Sequence, residues 1–142
     1  MNKPVLYLRI ASVLTFIHAV LHTIGGVFGK IEPGPIATAV EAMKVNTFPL
    51  MGNVRSFWMF YRGMGLAATV SLTAESILMW QLASLAKTEP RRLRPMMATF
   101  LAAYLALAVN SNAYFFPPPV IVEILIGASC GMAIVTASKK AS

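Results

Sequence analysis

The sequence is short of charge. Only 12% of its 142 residues are charged, against about 25% in an ordinary soluble domain. Hydrophobic residues make up 57%, and the mean hydropathy is +0.68. A water-soluble domain of this length has no core large enough to hide so much apolar surface, so the expected solvent is a bilayer. Acid is scarcest of all: five acidic residues, every one a glutamate, stand against twelve Lys and Arg, for a formal net charge of +7. Such an excess would suit nucleic acid if the cations formed one stripe. They sit instead at the ends of apolar runs, the pattern of topology signals, and nucleic-acid binding is excluded. The single cysteine, Cys130, lies inside an apolar run and has no partner for an internal disulfide, so it says nothing of compartment. There is no low-complexity tract, no obvious internal repeat and no linker long enough to separate domains, so residues 1–142 are expected to form one membrane domain.

What the sequence does have is four apolar runs, at about 5–28, 55–86, 96–116 and 120–137. Each is at least as long as the shortest helices that cross a bilayer, about 17 residues. The first run is expected to be a span and not a cleaved leader, because no small-x-small site follows it and histidines are foreign to a signal sequence. The fold class expected is all-α, an integral membrane four-helix bundle. Lys3 and Arg9, the turn from Lys87 to Arg94, and Lys139-Lys140 all fall on one side of such a bundle, and the other two connections are nearly neutral. The positive-inside rule then places both termini in the cytoplasm of a bacterial inner-membrane, multi-pass protein. In the first outer connection, Glu32-Pro33-Gly34-Pro35 stops any helix, residues 36–45 have the spacing of a short interfacial helix, and residues 48–53 are expected to re-enter the membrane boundary. Pro117-Pro118-Pro119 is expected to form the tight turn between spans three and four.

The polar residues inside the spans can be placed by depth, since a helix rises ~1.5 Å per residue. His18 and His22, both histidines of the chain, share one face of span one at roughly 15 and 9 Å below its outer end. Arg62 lies about 8 Å down span two, Asn110 and Asn112 roughly 6–9 Å from the outer end of span three, and Glu123 roughly 5 Å into span four. Six polar side chains in one layer under an apolar middle are more than packing alone needs. The expectation is a polar pocket near the outer leaflet with His18, His22, Glu123 and Arg62 as catalytic groups. Trp58, Tyr61, Asn110, Asn112 and Tyr114 would bind substrate. A histidine beside a carboxylate can move protons, and an arginine can hold an anionic head or a developing oxyanion. The activity expected is acid–base chemistry, isomerisation or hydrolysis, on a lipophilic small molecule. The alternative is a non-catalytic ligand-binding or accessory subunit whose polar layer is structural.

A metal is not expected. His18-x-x-x-His22 has helical ligand spacing, but Ala19 stands where a zincin-type motif has glutamate, and no further His follows. No cofactor is expected either. Glu75 falls about 27 Å inward along span two, level with Arg9, which suggests an inner-side ion pair or a side chain reaching cytoplasmic water. The many methionines are adaptable packing. Gly25-x-x-x-Gly29 and Gly127-x-x-x-Gly131 permit close helix approach, within the chain or, for Gly127 and Gly131, across a homodimer.

A span-one histidine followed by Gly25-Gly26, with compact spans and basic inner turns, resembles small bacterial four-span membrane proteins of the DoxX-like kind. The polar set His22, Glu123, Asn110 and Trp58 is similar in kind to the intramembrane pocket of emopamil-binding-type sterol isomerases. That likeness implies proton transfer on a lipid.

Overall fold

The computed structural model describes residues 2–138; the Lys139-Lys140 pair lies outside them. Helix α1 (Lys3–Leu21) continues into a π-helical turn (His22–Val27), and a short helix α2 (Pro35–Val45) follows. Strands β1 (Thr47–Leu50) and β2 (Asn53–Ser56) come next, then the long helices α3 (Phe57–Leu85), α4 (Arg94–Tyr114) and α5 (Pro117–Ser138). Four helical stretches, Lys3–Val27, Phe57–Leu85, Arg94–Tyr114 and Pro117–Ala137, are long and apolar enough to cross a membrane. The chain is a small, predominantly α-helical, four-span membrane protein. Its unpacked faces agree with that: Ile10, Val13, Ile17, Leu78, Leu105, Val109, Ile121 and Leu125 are all exposed, an arrangement that lipid accepts and water penalises.

Local sequence explains the boundaries. Gly25 and Gly26 are weak helix formers, and there the ladder slips by one residue, Phe28 N–H bonding to the Thr23 carbonyl at 3.0 Å. At Gly29 a β-carbon would sit 2.1 Å from the Gly25 carbonyl oxygen, so this glycine pair serves a tight local turn and not an approach between helices. Pro35 opens α2 behind Gly34, whose φ is 117°, and proline costs nothing at a first helical turn. The same holds at Pro117-Pro118-Pro119, which form the first turn of α5 instead of the expected connection. The link from α4 to α5 is Phe115-Phe116 alone. Residues 48–53 belong to an antiparallel hairpin, not foreseen from the sequence, that pairs Thr47 with Ser56 and Leu50 with Asn53. Met51 and Gly52 turn it with φ of 47° and 79°, the positive pair that a two-residue type I′ turn requires. Phe48 then packs on Phe57 and Phe60, with ring centroids 5.0 and 5.7 Å away, and so seats the hairpin on the start of α3.

The chain folds as two compact units, Ala19–Ser71 and the remainder. In the larger unit, α4 and α5 pack closely because Gly127 and Gly131 face Leu101, Tyr104 and Leu105. The glycine pair of α5 is therefore occupied in packing within the chain. Leu8, Leu82, Met97 and Ala133 fill one part of this core, and Ala11, Met79, Tyr104, Ile126 and Cys130 the other. Two polar ties cross it. Ser12 donates to the Ser76 carbonyl (2.7 Å) and Ser76 to the Ser12 carbonyl (2.9 Å), a reciprocal clasp of α1 and α3. The Tyr104 hydroxyl donates to Glu75 Oε2 (2.8 Å) and lies 3.2 Å from the Thr15 hydroxyl, which donates to the Ala11 carbonyl. Bonds of this kind between membrane helices contribute about 0.6 kcal/mol each, up to about 1.7.

The Arg9–Glu75 ion pair does not form among the described residues. Arg9 lays its guanidinium 3.3 Å from the centre of the Trp80 ring and donates to Ser84 Oγ, while Glu75 is held by Tyr104. Glu75, partly exposed, is thus tied into the helix packing by a phenol.

Candidate functional site

The smaller unit gathers His22, Arg62, Trp58 and Tyr61. The π-helical turn brings His22 to α3 where α3 is thinnest, at Gly65: a β-carbon on Gly65 would lie 3.0 Å from Val27 Cγ2. With that space clear, His22 Nε2 lies 3.0 Å from the Gly65 carbonyl oxygen. A carbonyl only accepts, so Nε2 carries the proton, and the neutral ring keeps its lone pair on Nδ1. Nδ1 has no hydrogen-bond partner among the described residues. It faces Gly26, where a β-carbon would stand 3.4 Å away. Glycine at 26 therefore leaves the basic nitrogen uncovered, and glycine at 65 leaves room for Val27 beside the carbonyl that holds the opposite nitrogen. One residue on, Thr23 donates to the Ala19 carbonyl and lies 2.9 Å from the Thr69 hydroxyl, which itself reaches the Gly65 carbonyl at 3.2 Å. The histidine is braced from both helices.

Arg62 sits one helical turn before Gly65 on α3. It is partly buried, and its guanidinium stands over Phe28, which ends the π-helical turn, at 4.9 Å, and over Trp58 at 6.0 Å. Trp58 stacks on Tyr61 at 5.5 Å and receives Lys44 of α2 at 5.8 Å on its ring. Both cations are thus seated on indole. Lys44 also pairs with Glu41, whereas Arg62 forms no ion pair among the described residues. A half-buried arginine held by aromatic faces keeps its N–H edge for an anionic or polar group.

No family model, curated protein or solved structure matches the chain. The likenesses to DoxX-like proteins and to emopamil-binding-type isomerases accordingly rest on layout and residue type, and no residue's role is taken from them.

The other sequence-predicted residues belong to the larger unit. His18, partly buried, is one turn before His22 on α1. Glu123 is 3% exposed, and Ser111 of α4 donates to its Oε1 at 2.9 Å; its Oε2 is buried with no hydrogen-bond partner among the described residues. Asn110 and Asn112 flank Ser111, and both are exposed, as is Tyr114. Sequence reasoning missed four residues that position the candidate groups: Gly65, Thr69, Gly26 and Ser111. Gly65 and Gly26 were visible as glycines within helical runs, a signal of close approach. Ser111 had no signal beyond being polar. Among the described residues no group of three or more His, Cys, Asp or Glu gathers.

Proposed function

We propose that this four-span protein is a small membrane enzyme that performs acid–base chemistry, isomerisation or hydrolysis, on a lipophilic molecule with a polar or anionic head. The observation that carries this is the orientation of His22. One ring nitrogen is fixed by the Gly65 carbonyl, and the other is left open over Gly26. That is the arrangement of a general base whose tautomer is set by its neighbour. Arg62, in no ion pair among the described residues and one turn before Gly65 along α3, supplies the positive charge for a head group or a developing oxyanion. Trp58, Tyr61 and Phe28 supply apolar and cation–π surface. In this proposal the termini are cytoplasmic, the Ala19–Ser71 unit carries the outer-leaflet site, and the setting is a bacterial inner membrane, as the basic ends of the spans favour.

A second proposal is a non-catalytic ligand-binding or accessory subunit. It is favoured by the bracing itself, because the bonds around His22, Thr23 and Thr69 tie α1 to α3. Solvent isotopes separate the two whatever the substrate is. Protein in vesicles of total lipid extract, incubated in D2O and in H2 18O, is expected to transfer deuterium (isomerisation) or oxygen-18 (hydrolysis) to one lipophilic species. His22→Gln is expected to transfer neither. Labelling no greater than in protein-free vesicles, or equal labelling by His22→Gln, would sink the enzyme proposal.

A further inference from the structure

Arg9, which pairs with no carboxylate among the described residues, sits on a tryptophan that lines an apolar groove. The groove, about 270 Å³, runs between α1 and α3 and is lined by Ser12, Val13, Phe16, Ser76, Ile77 and Trp80. Its walls are apolar. Its floor is the serine clasp, whose hydroxyls are turned into each other's backbone carbonyls, so the floor offers no polar group to whatever lies above it. Arg9 precedes Val13 and Phe16 by four and seven residues, and so shares their face of α1. Ser84 follows Trp80 and Ile77 on α3 in the same way. The guanidinium covers the Trp80 ring at 3.3 Å and donates one hydrogen bond, to Ser84 Oγ at 3.2 Å. Most of its N–H donors remain unused, and no carboxylate pairs with it among the described residues.

Arg9 lies about 9 Å from the start of α1, at the level where acyl chains give way to head groups. Its end of the unit carries a net positive charge. Asn2 reaches the Lys87 carbonyl, which places Lys3 beside the α3–α4 turn with Lys87 and Arg94, and the acid of that turn, Glu89, is held by Arg92. An arginine near the end of a span reaches the interface, where lipid phosphates are the anions at hand. A phosphate diester is the partner whose planar oxygen pair fits a guanidinium and whose tail fits the groove.

We propose that the α1–α3 groove is a binding site for one anionic phospholipid, its phosphate on the remaining N–H donors of Arg9, which Ser84 helps to orient, and one acyl chain along Val13, Phe16, Ile77 and Trp80. The site is separate from the His22 cluster and does not depend on its chemistry.

The test is native mass spectrometry of the full-length protein released from mixed micelles holding equal phosphatidylglycerol and phosphatidylcholine of the same chains. The wild type is expected to retain one phosphatidylglycerol at least fivefold over phosphatidylcholine. Arg9→Gln should abolish that preference, and Arg9→Lys should keep part of it. Ile77→Trp, which fills the groove, should lose both lipids. Arg94→Gln, which removes a cation outside the groove, should behave as wild type. A loss with Arg94→Gln equal to that with Arg9→Gln would mean diffuse attraction to the basic end and overturn the site. Displacement of the lipid by millimolar inorganic phosphate would overturn the lipid as occupant in favour of a free anion. Retention undiminished by Ile77→Trp would overturn the groove. Should Arg9→Gln not fold, Arg9→Lys and Ile77→Trp decide the matter.

Discussion

The imidazole Nε2 of His22 and the carbonyl oxygen of Gly65 lie 3.0 Å apart across two helices. Two glycines shape its surroundings: Gly65 leaves room for Val27 at the same crossing, and Gly26 leaves Nδ1 on the far side of the ring uncovered. The two are expected to fail differently. A β-carbon at Gly65 must displace Val27, so Gly65→Ala should cost about 1–3 kcal/mol, the usual range for overpacking. It would be read as a lower melting temperature in detergent. A β-carbon at Gly26 touches only the edge of the ring. Gly26→Ala should leave the melting temperature within a few degrees and cut isotope transfer at least tenfold. Equal thermal losses for the two variants would contradict this division.

Tyr104 and Glu75 make a second test. Tyr104→Phe removes the hydroxyl that donates to Glu75 and leaves the carboxylate without it, at a cost of about 1–3 kcal/mol. Glu75→Gln keeps an oxygen to accept the phenol proton and should cost clearly less. If Glu75→Gln proves the more damaging in detergent denaturation, the carboxylate has a role beyond this bond.

Ser111 is the side chain that reaches Glu123, with its neighbours Asn110 and Asn112 exposed. Ser111→Ala should destabilise the protein by about 1–3 kcal/mol, because Glu123 then loses its only hydrogen bond among the described residues. Asn110→Ala and Asn112→Ala should change thermal stability little. A larger loss for either asparagine than for serine would mean that α4 is rotated from the orientation described.

Topology is open to reporters. A periplasm-dependent enzyme inserted near Ala39 should be active, and one fused after Ser142 inactive. The reverse pair would invert the protein and move the His22 site to the inner leaflet.

The spans were legible because apolar length is a one-dimensional signal. α3 and α4 begin and end within two residues of the expected bounds. The hairpin was not, because Phe48, Pro49, Leu50 and Met51 look like membrane-boundary residues, and only Gly52 hinted at a turn. Within the helices, sequence gives height but not azimuth. Arg9 and Glu75 were placed at one depth, yet one lies against Trp80 and the other against Tyr104. The same limit hid Ser111. Neighbours on a helix point about 100° apart, so once Ser111 faces α5, both asparagines turn away. Depth put His22, Arg62, Trp58 and Tyr61 in one layer with Glu123 and the asparagines, and these four lie in the Ala19–Ser71 unit. The partner of His22 was not legible, since a backbone carbonyl leaves no mark in a sequence.

The central claim is that His22 is a base held by that carbonyl, and nitrogen-15 NMR of the ring reads it directly. In protein labelled at histidine and reconstituted in lipid, the His22 resonances, assigned by their loss in His22→Gln, should show a protonated Nε2 and an unprotonated Nδ1 in the neutral ring. Gly65→Ala should blur that preference. A neutral ring protonated at Nδ1 instead would break the bond to Gly65, leave no uncovered basic nitrogen over Gly26, and contradict the account.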